Sequence, residues 1–252
     1  MEVKRGMTTI LQLPSNLASE LQGVDFIDLR TTLPVNPNYT WAELVGTRPV
    51  SALNTIVLHH DGIPKAKTVK YTDVELASRI ARDHITSTKH HPKGDPGFPY
   101  DLWIRNGALY WCNDVEQREY GVGNNNGYTV NVCVSGEYKF TDVLTDDDRK
   151  ALYVAILMLQ EALPNLKFIK GHGEISPTYC PGFDVEKVRK EVVNYLEKQT
   201  YVVANTDNQN LFNMLTRIRD LQLKLQEPQY AGEARRKLLL VHEALNTLGF
   251  YK

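Results

Sequence analysis

The sequence predicts an α/β fold: a mixed central β-sheet flanked by helices, with a C-terminal helical hairpin. Three observations point to it. Short β-branched runs such as TIVLHH (55–60) and TVNVCV (129–134) alternate with longer segments whose apolar residues recur at helical spacing. Asn106-Gly107, between two strand-like runs, is the strongest short hairpin signal available. Past residue 200 only helical spacing remains.

Residues 1–50 read as irregular with short elements. Pro34, Pro37 and Pro49 punctuate them, and Trp41 anchors the segment to a core. TIVLHH reads as a buried central strand that Asp61-Gly62 ends. Residues 72–87 read as a helix. Thr72 caps it, and Val74, Ala77, Ile80, Ala81 and His84 share its inner face. STKHHPKGDPGFP (87–99), dense in glycine and proline, reads as a surface loop. YDLWIRNGALYW (100–111) forms the hairpin, and GVGNNNG (121–127) leads into the strand TVNVCV. After Thr145 comes a helix with acids in its first turn and Leu152, Ala155, Ile156 and Leu159 on one face. LKFIK (166–170) is a short strand that delivers Gly171-His172. Asp184 starts another helix, with Val185, Val188, Val192, Tyr195 and Leu196 inward.

A polar stretch around residues 200–209 reads as a linker. Beyond it Leu211, Leu215, Ile218, Leu221 and Leu225, then Leu238, Val241, Leu245 and Leu248, make two apolar helical stripes on either side of Pro228. The expected domains are therefore 1–200 and a hairpin at 206–252. The hairpin is too small for a core of its own, so it packs on the first domain, on another copy, or on a target.

Composition sets bounds. The 252 residues suffice for one sizeable domain and an appendage, and 42% hydrophobic with 23% charged residues is ordinary for a globular protein. A net charge of −1 does not advertise a nucleic-acid partner. Three scattered cysteines, Cys112, Cys133 and Cys180, make no disulfide framework. The N-terminus lacks a secretory pattern and no stretch approaches a membrane span, so a reducing cytosol is the expected place of synthesis, without membrane insertion.

The chemistry concentrates in two places. His59 sits near the end of the central strand. His172 and Cys180 come from another strand end and the loop GHGEISPTYCPG (171–182) after it. Two imidazoles and a thiolate can hold Zn2+ with one position left for water. Gly171 permits close backbone approach, and Pro177 and Pro181 stiffen the path that returns Cys180 toward His172. Spacing by itself leaves a second reading open: a core histidine, a buried free cysteine and a proline-rich turn.

IVLHHDG, YDLWIRNGALY, NNNGYTVNVCVSG and GHGEISPTYCPG, in that order, resemble the zinc N-acetylmuramoyl-L-alanine amidases, a family that includes phage endolysins and the peptidoglycan recognition proteins. The resemblance covers roughly residues 25–198. It implies a mixed sheet flanked by helices, and zinc held by His59, His172 and Cys180. It implies that Tyr100 is catalytic, its neutral phenol hydrogen-bonding the metal-bound water or the developing oxyanion; a core tyrosine is the plainer alternative. Some phage members carry a catalytic lysine where this chain has Thr178, as the animal recognition amidases do.

The chain departs from the family at Tyr100-Asp101, where Tyr-His is frequent. It departs at Tyr120-Gly121, where a histidine often precedes the asparagine-rich loop, and at Cys133, where some members have a catalytic glutamate. Glu174 is then the candidate base, with local capping as its alternative role. His60 is expected to face substrate or support the ligands. Asn125 and Asn126, with Asn124, are expected to bind a peptide stem or to build turns. His84 reads as packed or substrate-lining, His90 and His91 as solvated loop residues or substrate contacts, and Cys112 and Cys133 as apolar filler.

The function implied is hydrolysis, by zinc-activated water, of the amide between N-acetylmuramic acid and L-alanine in bacterial peptidoglycan. The expected setting is a phage or prophage endolysin made in the host cytoplasm and acting on the wall after release. The hairpin would serve wall targeting or homo-oligomer formation. The rivals are a non-catalytic peptidoglycan-binding protein and a cytosolic amidase that recycles muropeptides.

Overall fold

The computed structural model describes residues 9–197 and Leu238. Apart from Leu238, the expected linker and hairpin lie outside the described residues. Six strands form one sheet: β1 (Phe26–Asp28), β2 (Thr55–His60), β3 (Leu102–Arg105), β4 (Ala108–Trp111), β5 (Thr129–Val134) and β6 (Phe168–Gly171), in the order β1-β4-β3-β5-β2-β6. Only the β3–β4 pair is antiparallel. Its turn is Asn106-Gly107, with φ of 51° and 78°, as the sequence predicts for a two-residue hairpin. The mixed sheet flanked by helices is the fold class the sequence predicts.

The helices are α1 (Trp41–Val45), α2 (Asp73–Thr86), α3 (Asp146–Ala162) and α4 (185–197). Thr72 and Glu75 form a capping box at the start of α2, and the Thr145 hydroxyl accepts from Asp148 N–H at the start of α3. Strand alternation divides the core. Ile56, Leu58, Leu102, Ile104, Val130, Val132 and Val134 pack with α3 and with Val188 and Val192 of α4. Trp103, Tyr110 and Cys133, on the other face, pack with Leu76, Ala77, Ile80 and Ala81 of α2.

Three local expectations change. Every residue from Ala151 to Leu159 is buried, not one stripe of α3, because α4 and the N-terminal segment around Leu21 cover the sides that the sheet leaves open; Tyr153 meets Tyr195 of α4, with ring centroids 5.5 Å apart. Val74 is exposed, and Leu76 takes its place on the inner face of α2. The segment 87–99 is a surface loop only in its first half. Residues 94–99 are buried under α2 and the β3–β4 hairpin side of the core.

β2 lies between β5 and β6, and both neighbours run parallel to it. The C-terminal ends of the three strands therefore coincide. His59 is level with Cys133, and Leu58 is level with Gly171. Such a carboxyl-end edge is where an open α/β sheet places its ligand sites.

Candidate metal centre

β2 is buried along its whole length until His60, so His59 is carried into the interior by strand pairing; only 1% of it is exposed. Its Nε2 lies 3.0 Å from Oδ1 of Asn131, one pleat back on β5. An amide oxygen accepts, so the ring carries its proton on Nε2 and presents the Nδ1 lone pair. That Nδ1 is 3.7 Å from Cys180 Sγ. Burial, with the neighbouring His172 and His60, pushes the His59 imidazole down to about 3 against the bond to Asn131, so it is neutral at any physiological pH. Neutral imidazole is the form that ligates metal.

His172 follows β6 in a single 3-10 turn, His172–Glu174, with its ring 4.8 Å from that of His59 between centroids. Burial, then His60, pushes it down too. Cys180 is brought back by the loop after it. Gly173 N–H donates to the Cys180 carbonyl at 2.7 Å. At Gly173 a β-carbon would stand 2.6 Å from the Thr178 carbonyl oxygen, so only glycine lets the two backbones approach this closely. The Thr178 hydroxyl accepts from Cys180 N–H at 3.2 Å, and His60 N–H donates to Cys180 Sγ at 3.3 Å.

The donor atoms of His59, His172 and Cys180 all lie within 4.8 Å of one another. Two neutral imidazoles and one sulfur that already accepts a backbone N–H suit Zn2+. The His59 proton sits on the Asn131 side, so its free lone pair points inward. The residues fit the ion. Burial pushes the Cys180 thiol up to about 12, against the pull of the His60 N–H. A thiol in that state needs a cation beside it to ionise, and metal binding supplies one.

Tyr100, two residues before β3, brings its ring 5.0 Å from that of His59 and packs on the core cluster that holds Cys133. Burial, then the sulfurs of Cys133 and Cys180 and the Asp61 carboxylate, hold its pKa well above the usual phenol range. Tyr100 is a neutral donor beside the donor cluster.

Other expected site residues lie elsewhere or are engaged. The Glu174 carboxylate accepts from Gly171 N–H at 2.6 Å and pairs with Arg189 at 3.0 Å. Burial pushes it up, but the bonds from Arg189 and Gly171 outweigh this and hold it below the usual range. It caps the turn, the second of the two roles the sequence allows. The His60 ring is turned by strand alternation away from His59 and onto Tyr138, at 6.4 Å between centroids, with Glu137 3.8 Å away. Its contribution to the cluster is the backbone N–H.

Asn125 and Asn126 precede β5 and so lie at the opposite end of the sheet from His59. Asn125 accepts from the Tyr128 hydroxyl and donates to the Val122 carbonyl. Asn126 accepts from Val122 N–H and donates to the Gly123 carbonyl. Both amides build turns, the second of the two roles the sequence allows. Thr178 shapes the loop through Cys180 N–H.

Sequence reasoning passed over Asn131. Its signal is visible in retrospect: one amide among the apolar residues that follow Thr129 in the strand TVNVCV. Behind it, Asp101 Oδ2 accepts from Asn131 N–H at 2.7 Å, and Asp101 Oδ1 accepts from Arg48 at 2.7 Å. Arg48, Asp101 and Asn131 are all buried and back the His59 ring. Among the described residues no helix is long and apolar enough to cross a membrane.

No protein-family model and no curated relative matches the chain. Solved structures do. An endolysin N-acetylmuramoyl-L-alanine amidase, LysCS, from Clostridium intestinale is 20% identical, with 67% of this chain and 95% of that one covered at a TM-score of 0.50. The bumblebee peptidoglycan recognition protein PGRP-SA is 16% identical, covering 69% and 97% at 0.50. Human PGRP-Iβ C, solved in complex with a glucosaminyl muramyl pentapeptide, is 13% identical, covering 62% and 89% at 0.50. At these identities the likeness is one of fold.

Proposed function

We propose that the chain is a zinc-dependent peptidoglycan amidase that cleaves the amide between N-acetylmuramic acid and L-alanine, in the manner of a phage or prophage endolysin. The observation that carries the reading is the convergence of His59, His172 and Cys180 within 4.8 Å at the carboxyl edge of the sheet. The fold likeness to an amidase of that name supports it. A zinc ion held by these side chains would supply Lewis acidity and a water of lowered pKa.

The chain's own residues do the rest. Tyr100, held neutral, donates its phenolic hydrogen toward the oxygen of the scissile carbonyl as charge develops there. Asn131 fixes the His59 ring and its tautomer. His60 N–H donates to the Cys180 sulfur and favours its thiolate. Gly173 and Thr178 hold the loop that presents that sulfur.

A specific observation favours a second reading, a non-catalytic peptidoglycan-binding module: the Glu174 carboxylate is tied to Arg189 and Gly171. One experiment separates the two. Purified full-length chain is analysed for zinc, incubated with bacterial wall, and the released amino termini are counted. The amidase reading expects zinc at the His59, His172 and Cys180 cluster and new L-alanine amino termini; in Cys180→Ser and His172→Ala the zinc content falls by one equivalent and the new termini are lost. A wild type that pellets with wall but releases no amino termini rejects the amidase and leaves the binder.

A further inference from the structure

The loop after α2 carries two histidines, His90 and His91, that the amidase reaction does not use. It folds back on the end of the helix. His84 Nδ1, in the last turn of α2, and His90 Nδ1 lie 2.8 and 2.9 Å from the same oxygen, Oδ2, of Asp95. The Asp95 side chain is 0% exposed, while those of His84 and His90 are 29% and 37% exposed. The other carboxylate oxygen, Asp95 Oδ1, is buried without a hydrogen-bond partner among the described residues. A buried acceptor left unmet is costly. Two partly exposed imidazoles and a buried, half-satisfied carboxylate form a donor set.

The set is rigidly mounted. Asp95 N–H donates to the His84 carbonyl at 2.9 Å, and Asn36 Nδ2 donates to the carbonyls of Lys93 and Asp95 at 2.9 and 3.2 Å. At Gly94, φ is +80°, and a β-carbon would fall 1.7 Å from the Ile85 carbonyl oxygen, so the loop lies directly against the helix end. The Tyr39 hydroxyl donates to the Gly94 carbonyl at 2.6 Å and meets His91 Nδ1 at 2.6 Å. Donors in a tetrahedral zinc site with bonds of about 2.0–2.1 Å stand about 3.4 Å apart. The two imidazole–carboxylate distances, 2.8 and 2.9 Å, need to open by roughly half an ångström to reach that spacing. The solvent side of the two rings leaves room for water as the remaining ligand.

We propose that His84, His90 and Asp95 form a second divalent-metal site, of the class that takes Zn2+, Ni2+ or Co2+ through two imidazoles and a carboxylate, and that the ion clips the 87–95 loop to the end of α2. The site shares no ligand with the His59 cluster. Its loop runs into Tyr100 five residues later, so the clip steadies the approach to that side chain.

The test uses the untagged full-length chain in a Cys180→Ser background, so that the outcome does not depend on the first centre. Protein is stripped with a chelator and dialysed against zinc chloride, and zinc per chain is measured with and without His90→Ala. His90 is partly exposed on the loop, and circular dichroism verifies that the variant is folded. The expected result is one equivalent of zinc lost with His90→Ala, together with loss of the zinc-dependent rise in melting temperature. Equal zinc content in the two proteins overturns the proposal. So does a melting temperature that rises with zinc to the same extent in both.

Discussion

The imidazole of His59 shows how far a single residue is legible. That a histidine ends a buried strand is plain from TIVLHH. Which nitrogen it presents is not, because the deciding partner, Asn131, is 72 residues away on β5. Asn131→Ala removes the acceptor of the Nε2 proton and frees the ring to turn. Supporting residues of this kind typically set metal affinity within a factor of about 10–100. Zinc affinity, read by competition with a chromophoric chelator, is therefore expected to fall by about that factor with the fold retained. An unchanged affinity would remove Asn131 from the site. Glu174 teaches the converse. An acid two residues from a ligand reads equally well as a base or as a cap, and only Arg189, on α4, shows which bond the carboxylate makes.

Among the elements, the turn between His172 and Cys180 decides whether the donor set closes. Glycines and prolines mark it as tight in the sequence. The position that bears the closest approach is Gly173. Gly173→Ala must push the Thr178 carbonyl away by several tenths of an ångström or more, at a cost of about 1–3 kcal/mol as in other overpacked sites. The shift carries Cys180 with it. The variant is expected to keep its cooperative unfolding and lose zinc at least tenfold more readily than wild type under dialysis. Wild-type zinc retention in this variant would mean that the loop adapts and that Gly173 does not set the sulfur. The strands behave differently. β2, β5 and the β3–β4 hairpin were readable because period and turn chemistry are local, whereas the full burial of α3 comes from α4 and the N-terminal segment around Leu21, which the pattern of α3 itself does not contain.

For the molecule as a whole, the least visible feature is the buried group of Arg48, Asp101 and Glu119. Arg48 meets Asp101 at 2.7 Å and Glu119 at 3.2 Å, with all three side chains at most 1% exposed. Two acids share one cation. Burial, with the Asp101 carboxylate, raises Glu119 well above its usual range against the pull of Arg48, so Glu119 is the protonated member. A carboxyl whose folded pKa is raised takes up a proton on folding above its unfolded value of about 4.3. Its contribution is thus lost as pH rises from that value toward the folded pKa. Glu119→Gln keeps the acceptor for Arg48 and removes the titration. Its stability relative to wild type is expected to improve from pH 5 to pH 8, by up to about 1.4 kcal/mol per pH unit. Urea unfolding at the two pH values measures this. Parallel changes in both proteins would show Glu119 to be ionised in the fold.

The sequence by itself determined β2 to β6, the hairpin, the Thr72 cap and the three donor types, because each depends on neighbours a few residues apart: alternation, Asn-Gly, a threonine ahead of a helical face, and a strand ending in histidine; β1 lies in a segment that reads as irregular. Only the tertiary structure decided which polar groups were already engaged. Asn125 and Asn126 fell to turn building, Glu174 to Arg189, and the His60 ring to Tyr138, while Asn131 and Asp95 gained importance. The physical reason is that a buried polar atom must find a partner, and at these sites the partner comes from sheet register and loop packing between segments far apart in the chain.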